Sequence, residues 1–399
     1  MECQRRDICA HCLYDGKRQC RFCRQCNSHC PAFVEQRCGR LERPPFVCNG
    51  CAEERRCVLR KRYYLHAKAQ ESYETILSES RTGANITEGE LILCDRTLRD
   101  LTDRGQSIHA AMVNNPDRFT FSLKTAYRYV NGGLLSTKRH NLPRACMVKP
   151  RRGKGVEHRV DKTCRVGRTW DDYLKFVEGN PGVRVVEMDT VEGARGGKAL
   201  LTLIFNPFNF MLAFLVDAKT SECVLGVFSA ILSALKERYG EDGGREVFSR
   251  LFPVILTDNG TEFSNPARIE FDADGSRLTS VFYCNAYASY EKPHVERNHG
   301  FIRLVLPKGT AYTEPAPFDG LTQSGVSLMM SHVNSYVRRG LGNKTPYDLF
   351  TREYGEDVAA LFGISRIAAN DVTLRPSLLG IEVKVKESVS PAETAPAGK

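Results

Sequence analysis

The sequence predicts a multidomain protein: a cysteine-rich N-terminal segment, a module of short helices, and an α/β core built on a mixed sheet. Three observations predict it. Eleven of the sixteen cysteines fall before residue 60. Between residues 61 and 140, apolar side chains recur at helical spacing between capping residues. From residue 181 to about 350, short apolar runs alternate with helical patterns, as strands and helices in layers do. The expected divisions are 1–60, 61–140, a basic linker at 141–180, the core at 181–350, and a C-terminal extension at 351–399 ending in a disordered tail.

A chain of 399 residues exceeds one ordinary core, so two or three domains are expected. Its 42% hydrophobic and 26% charged content fits a soluble globular protein. The net charge of +10 and pI near 8.9 suit a polyanionic partner, nucleic acid first, though a merely basic soluble enzyme would look the same. The N-terminus has no apolar core of the secretory type. The uncharged stretch 199–216 has the length of a membrane helix, but Asn206, Pro207 and Asn209 at its middle make it a hairpin, 200–205 then 211–216. A cytoplasmic protein with no membrane partner is expected.

The first 60 residues are too poor in aliphatic side chains to build a core unaided. Cys9 and Cys12, Cys20 and Cys23, Cys26 and Cys30, then Cys48, Cys51 and Cys57 have metal-ligand spacings. Thiolates two residues apart grip a tetrahedral zinc from one tight turn. The run Cys20-x2-Cys23-x2-Cys26-x3-Cys30-Pro31 also matches a ferredoxin run. No second run accompanies it and its surroundings are basic, so Zn²⁺ is favoured over an iron–sulfur cluster. Unliganded thiols in a flexible arm are the plain alternative.

A first helix is expected over 63–77. Thr87-Glu-Gly-Glu90 forms a capping box ahead of Leu91, Cys94, Leu98 and Leu101, and Gly105 closes that helix. Ser107 caps 108–114, Pro116 breaks it, and Ser122 caps 123–131 before Gly132-Gly133. The last helix carries Ser122, Lys124, Thr125 and Arg128 outward, which suits a helix-turn-helix reader of the DNA major groove. The connection before it is longer than the usual tight turn, and a plain helical packing module is the alternative. Lys149-Pro-Arg-Arg-Gly-Lys-Gly and the run 159–168 form a basic linker able to track phosphates.

In the core, residues 183–188, 200–205, 211–216, 254–257 and 279–283 read as strands. Residues 221–239 read as a helix with Val224, Val227, Phe228, Ile231, Leu232 and Leu235 on one face, and 325–339 as another. The order suggests a mixed sheet with helices on both faces.

Three acidic residues stand out against this frame. Asp189 and Asp258 end apolar runs, and Glu296 lies in a helix opened by Pro293. Carboxylates at one sheet rim repel each other unless cations hold them, the arrangement of two-metal phosphoryl-transfer sites. This order of sheet Asp, second-strand Asp and helix Glu is that of a ribonuclease-H-like core. Arg303 shares the helix face of Glu296 and is placed to reach a phosphate. Glu187, Glu192, Glu262 and Glu291 compete as ligands, and His294 and His299 as ligands or bases. Taken singly, each acidic residue could as well be a turn or surface residue.

The blocks Met188-Asp189-Thr-Val-Glu-Gly193, Leu256-Thr-Asp258-Asn-Gly-Thr-Glu-Phe-Ser-Asn-Pro266 and Glu296-Arg-Asn-His-Gly-Phe-Ile-Arg303-Leu-Val-Leu-Pro307-Lys308-Gly309-Thr310 carry a resemblance. Through them, and through His332-Val-Asn334 and Lys344-Thr-Pro346, the chain resembles DDE transposases of the IS-thirty family of bacterial insertion sequences. The likeness covers nearly the whole chain short of the tail. It implies a catalytic triad of Asp189, Asp258 and Glu296, followed by Arg303. It further implies two Mg²⁺ (or Mn²⁺) ions, a DNA-binding set that takes in Lys308, and double-stranded DNA as partner, both terminal inverted repeats and target. Many family members have Asn before the Glu, where this chain has Val295. A homo-oligomer in the bacterial nucleoid is expected, since two ends must be held together. A related integrase or nuclease, or a zinc-dependent DNA-binding regulator without activity, are the alternatives.

Overall fold

The computed structural model describes residues 4, 13–14, 17–18, 33–79, 86–143, 163–193, 196–286, 288–309 and 313–382. Cys9, Cys12, Cys20, Cys23, Cys26 and Cys30, the basic run from Lys149 and the tail lie outside them. The chain divides into two compact units, Met1–Asn85 and Ile86–Lys399.

In the first unit, the Cys48 turn is clasped to residues 62–64. Cys48 N donates to Arg62 O at 2.6 Å, and Arg62 N donates back to the Cys48 sulfur at 3.3 Å. The Asn49 amide pairs with both backbone groups of Tyr64. These bonds hold 62–64 extended, so the helix expected from residue 63 starts later, as α1, His66–Glu79.

The second unit opens with the three predicted helices, α2 (Glu88–Asp103), α3 (Ile108–Asn114) and α4 (Leu123–Asn131). Their caps form as read: a capping box of Thr87 and Glu90, then Ser107 on Ala110 N and Ser122 on Thr125 N. The triplet is built into the same unit as the core. Leu374 N donates to Arg104 O, the buried Gln106 amide reaches the Ala369 and Val372 carbonyls, and Tyr336 bonds Ser107. Gly105 permits this docking. Its φ of +83° is left-handed, and a Cβ there would lie 2.5 Å from Leu374 O.

The stretch read as linker contains α5, Trp170–Gly179, opened by a Thr169/Asp172 capping box. Its charge density hides the spacing of Trp170, Tyr173 and Phe176, which cover Val254, Leu256 and Phe282 of the sheet. The sheet comprises β1 (Val185–Glu192), β2 (Ala199–Phe205), β3 (Phe210–Val216), β4 (Val254–Thr257) and β5 (Ser280–Tyr283), in the order β3-β2-β1-β4-β5. β1 pairs antiparallel with β2 and parallel with β4. The hairpin read at Asn206-Pro207 forms, and the order fits a ribonuclease-H-like core. Alternation along β4 and β5 sends Ile255, Val281 and Tyr283 to the main core, away from α5, so helices cover both faces.

Between β3 and β4 lie α6 (Ser221–Tyr239) and α7 (Glu241–Leu251). The four-residue α8 (Ala267–Glu270), then α9 (Pro293–Val305), α10 (Gln323–Asn334), α11 (Pro346–Tyr354) and α12 (Glu356–Leu361) follow. Strand β3 is an edge strand, whose unpaired backbone groups would invite another strand. Two amides of α10 cover it. Asn334 accepts from Met211 N at 2.9 Å and donates to Met211 O at 2.8 Å. Gln323 accepts from Leu215 N and donates to Ala213 O. The core continues past residue 350, where an extension was expected. Phe350 stacks on Phe210 with ring centroids 3.8 Å apart, and Val358, Ile364, Val372 and Leu374 are buried.

Candidate active site

Strand register brings the first two acidic residues together. β1 and β4 run parallel with Glu187 opposite Leu256, so two residues further on Asp189 comes beside Asp258. Each carboxylate is held from its own backbone. Asp189 Oδ1 accepts from Thr190 N at 2.7 Å, and Asp258 Oδ1 accepts from Gly260 N at 3.0 Å. A Cβ at Gly260 would lie 2.4 Å from the buried Glu262 carboxylate, which would have to shift. Glu262 bonds Thr190 Oγ1 at 2.9 Å and pairs with Lys219 at 3.3 Å, behind the site.

Between the two aspartates lies a cation that the sequence reading missed. Lys292 Nζ is 3.7 Å from Asp189 Oδ2 and 3.8 Å from Asp258 Oδ2, and it donates to Met188 O at 3.3 Å. Its side chain is 8% exposed. Burial pushes Asp189 up to about 6, with Lys292 opposing and Asp258 reinforcing the shift.

Glu296 projects from the first turn of α9 and is exposed. Among the described residues, no three His, Cys, Asp or Glu side chains converge as a metal-ligand group. The structure therefore joins Asp189 to Asp258 and leaves Glu296 outside their cluster. Helix α9 itself is held firmly. The buried Glu187 accepts from Val295 N and from Asn206 Nδ2, each at 2.8 Å. Asn209, at the hairpin turn, bonds His294 at 2.8 Å and Asn298 at 3.3 Å. His299 bonds Thr202 Oγ1 at 2.8 Å, and that hydroxyl donates to Asp189 O at 3.0 Å. Burial first, then the charges of Lys292 and Arg303, pushes His299 down to about 3, so it is neutral.

The competing residues thus have structural partners here. Glu187 and His299 position α9, Glu291 accepts from Asn285 N and Nδ2, and Glu192 pairs with Lys219. Arg303 donates to Glu192 O at 2.8 Å, and burial lowers its pKa. It ties α9 to the end of β1 in this structure.

A divalent cation fits the donor set. Two carboxylates, Asp189 half-buried and Asp258 about half exposed, flank one buried ammonium, so two negative charges face a single positive one. The three groups around Lys292 Nζ present oxygens, the ligand atoms that Mg²⁺ and Mn²⁺ prefer.

On α4, Lys124 and Arg128 are exposed, whereas Ser122 and Thr125 share a hydroxyl bond at 3.0 Å. Lys308 is exposed. Cys51 N donates to Cys48 O in one tight turn, and Cys57 lies on the following turn.

No family model matches the chain. It is 26% identical over 247 residues to a Streptococcus salivarius protein named "Probable transposase for insertion-like sequence element IS1161", covering 61% of this chain and 62% of that one. It is 29% identical over 111 residues to the transposase for insertion sequence element IS4351 of Bacteroides fragilis, covering 28% of this chain and 31% of that one. The chain is thus similar in sequence to insertion-sequence transposases. It spans less than two thirds of the length of either relative. A crystal structure of the catalytic core domain of BIV integrase matches with 19% identity and a TM-score of 0.30, covering 43% of this chain and 97% of that one. No helix among the described residues is long and apolar enough to cross a membrane.

Proposed function

We propose that the chain is the DNA transposase of a bacterial insertion sequence, a metal-dependent polynucleotidyl transferase that cuts and joins DNA strands. The observation that carries this reading is that Asp189, on β1, and Asp258, just past the end of the parallel strand β4, flank one buried lysine ammonium, in a chain similar to transposases. Asp189, Asp258 and Glu296 would hold two Mg²⁺ or Mn²⁺ ions. When bound, those ions supply Lewis-acid stabilisation of charge on phosphoryl oxygens.

The chain's own residues do the rest. Asp189 and Asp258 would hold the cations at the rim of the sheet, and Glu187, Asn209 and Thr202 hold α9, the helix that carries Glu296. Strand cleavage by water and attack by the freed 3′-hydroxyl are both displacements at phosphorus, so one site serves both. Helix α4, through Lys124 and Arg128, and the exposed Lys308 bind the element ends and target DNA. The N-terminal cysteines bind zinc. The protein works in the bacterial cytoplasm as an oligomer holding two ends.

The test uses DNA flanking the gene, incubated with the protein and Mg²⁺ or Mn²⁺. Wild type should release 3′ ends at the inverted repeats, and Asp258→Asn and Glu296→Gln should abolish it. Tight binding of those ends without cleavage under either metal would make the protein a DNA-binding regulator.

A further inference from the structure

We propose that Lys292 is a built-in counter-cation of the aspartate pair, which a divalent ion must displace to bind. The inference rests on the reading of this pocket as a divalent-cation site. A buried ammonium needs compensating charge. Lys292 has two carboxylates, at nearly equal distances of 3.7 and 3.8 Å, and one carbonyl at 3.3 Å. Charge-assisted bonds to a single partner run nearer ~2.7–2.9 Å. The ammonium therefore bridges the pair and belongs to neither aspartate alone.

That position has two consequences. The first is assembly. Asp189 and Asp258 come together through strand register, and their mutual repulsion opposes the fold unless a cation lies between them. Lys292 supplies one from the residue before Pro293, at the N-cap of α9. The pocket and the helix that carries Glu296 are thereby fastened by the same side chain. The second is competition. A Mg²⁺ or Mn²⁺ ion takes carboxylate oxygens at about 2.0–2.2 Å, and an ammonium between the same oxygens cannot share that space. The long lysine stem can swing aside while its backbone stays at the N-cap. Lys292 thus raises the cation concentration at which the pocket loads.

The test is calorimetric titration of Mn²⁺ into the full-length protein at pH 8, with melting temperatures in chelator alongside. Lys292→Met should bind Mn²⁺ about tenfold or more tightly than wild type, equivalent to about 1.4 kcal/mol. Lys292→Arg, which keeps the charge, should stay within about threefold of wild type. In chelator the Met variant should melt lower, and Mn²⁺ should raise its melting temperature by more. Lys292→Gln, which can still donate to Met188 O, serves the same comparison if the Met variant does not fold. Binding to the flanking DNA in chelator checks that each variant is intact. Unchanged or weaker Mn²⁺ binding in the charge-removed variant overturns the proposal, as does an equal loss of melting temperature with and without Mn²⁺. Asp258→Asn separates this failure from failure of the pocket reading. If wild-type binding is lost in Asp258→Asn but unaltered in Lys292→Met, the pocket stands and the lysine proposal falls. If wild-type Mn²⁺ binding does not depend on Asp258, both fall.

Discussion

Replacing Glu187 by Gln tests whether this buried carboxylate anchors α9. Glu187 is 2% exposed, and its two oxygens face two donors, Val295 N and Asn206 Nδ2. Glutamine has the same shape but only one acceptor oxygen. Whichever way its amide turns, an NH₂ group points at an N–H donor. If the oxygen stays on Asn206, the backbone N–H of Val295 is orphaned in the first turn of α9. If it stays on Val295, the Asn206 amide is orphaned at the hairpin turn. A hydrogen bond to a charged group contributes about 1.5–3 kcal/mol, and a stranded buried donor costs about 1–3 kcal/mol. The lost attraction of a carboxylate for a helix N-terminus adds about 0.3–1 kcal/mol. These contributions overlap, so the expected loss is roughly 2–4 kcal/mol.

The chain carries its own reporter for this measurement. Trp170 is the only tryptophan, and it lies on α5 against the sheet. Urea unfolding followed by its fluorescence therefore reads the unit that contains α9. Glu187→Gln should shift the midpoint down with little change in slope. DNA cleavage should also fall under conditions where the variant is folded, because α9 carries Glu296. A loss below about 0.5 kcal/mol, in the range of an ordinary surface substitution, would show that Glu187 does not anchor the helix.

Other expectations follow from the same geometry. Asn334→Leu strands the N–H and C=O of Met211 and should cost about 2–4 kcal/mol by the same unfolding measurement. Lys124→Ala and Arg128→Ala should each reduce the slope of log affinity against log salt by about 1 in DNA-binding titrations, if α4 lies on phosphates. His299, held down to about 3, binds fewer protons folded than unfolded between about pH 3 and 6.5, so its contribution is lost as pH falls through that window. His299→Gln should therefore recover roughly 2 kcal/mol at pH 5 relative to wild type, with both referenced to pH 7.5. Asp189 acts with the opposite sign. Its folded pKa is raised to about 6, so its contribution is lost as pH rises from about 4 to 6, and in the Asp189→Asn background the His299 effect should be seen alone.

What the sequence made legible is what depends on neighbours within one turn or one strand. The caps at Thr87, Ser107 and Ser122 involve partners three residues away, so their spelling is local. The hairpin at Asn206-Pro207 and the Asp258-Asn-Gly turn are local in the same way. What stayed hidden depends on partners about a hundred residues distant. Glu187 reads as a possible ligand because its strand face matches that of Asp189, and only the fold shows that Val295 claims it, 108 positions on. Asn334 looks like one polar residue in a helix until the edge strand 123 positions earlier is laid beside it. Helix α5 reads as linker in the sequence because its arginine-rich approach outweighs three aromatics, and the sheet residues they cover, Val254, Leu256 and Phe282, come far later in the chain. Lys292 belongs to this second class, although it stands four residues before Glu296 in a block that drew attention for its carboxylate. A motif search weights the groups that perform chemistry, and a lysine beside a proline has no such mark. Its role appears only when two strands in parallel register set two like charges side by side and the buried ammonium between them becomes electrostatically necessary. The residues that react are thus legible from sequence, while those that make it possible for them to stand together are written in the topology.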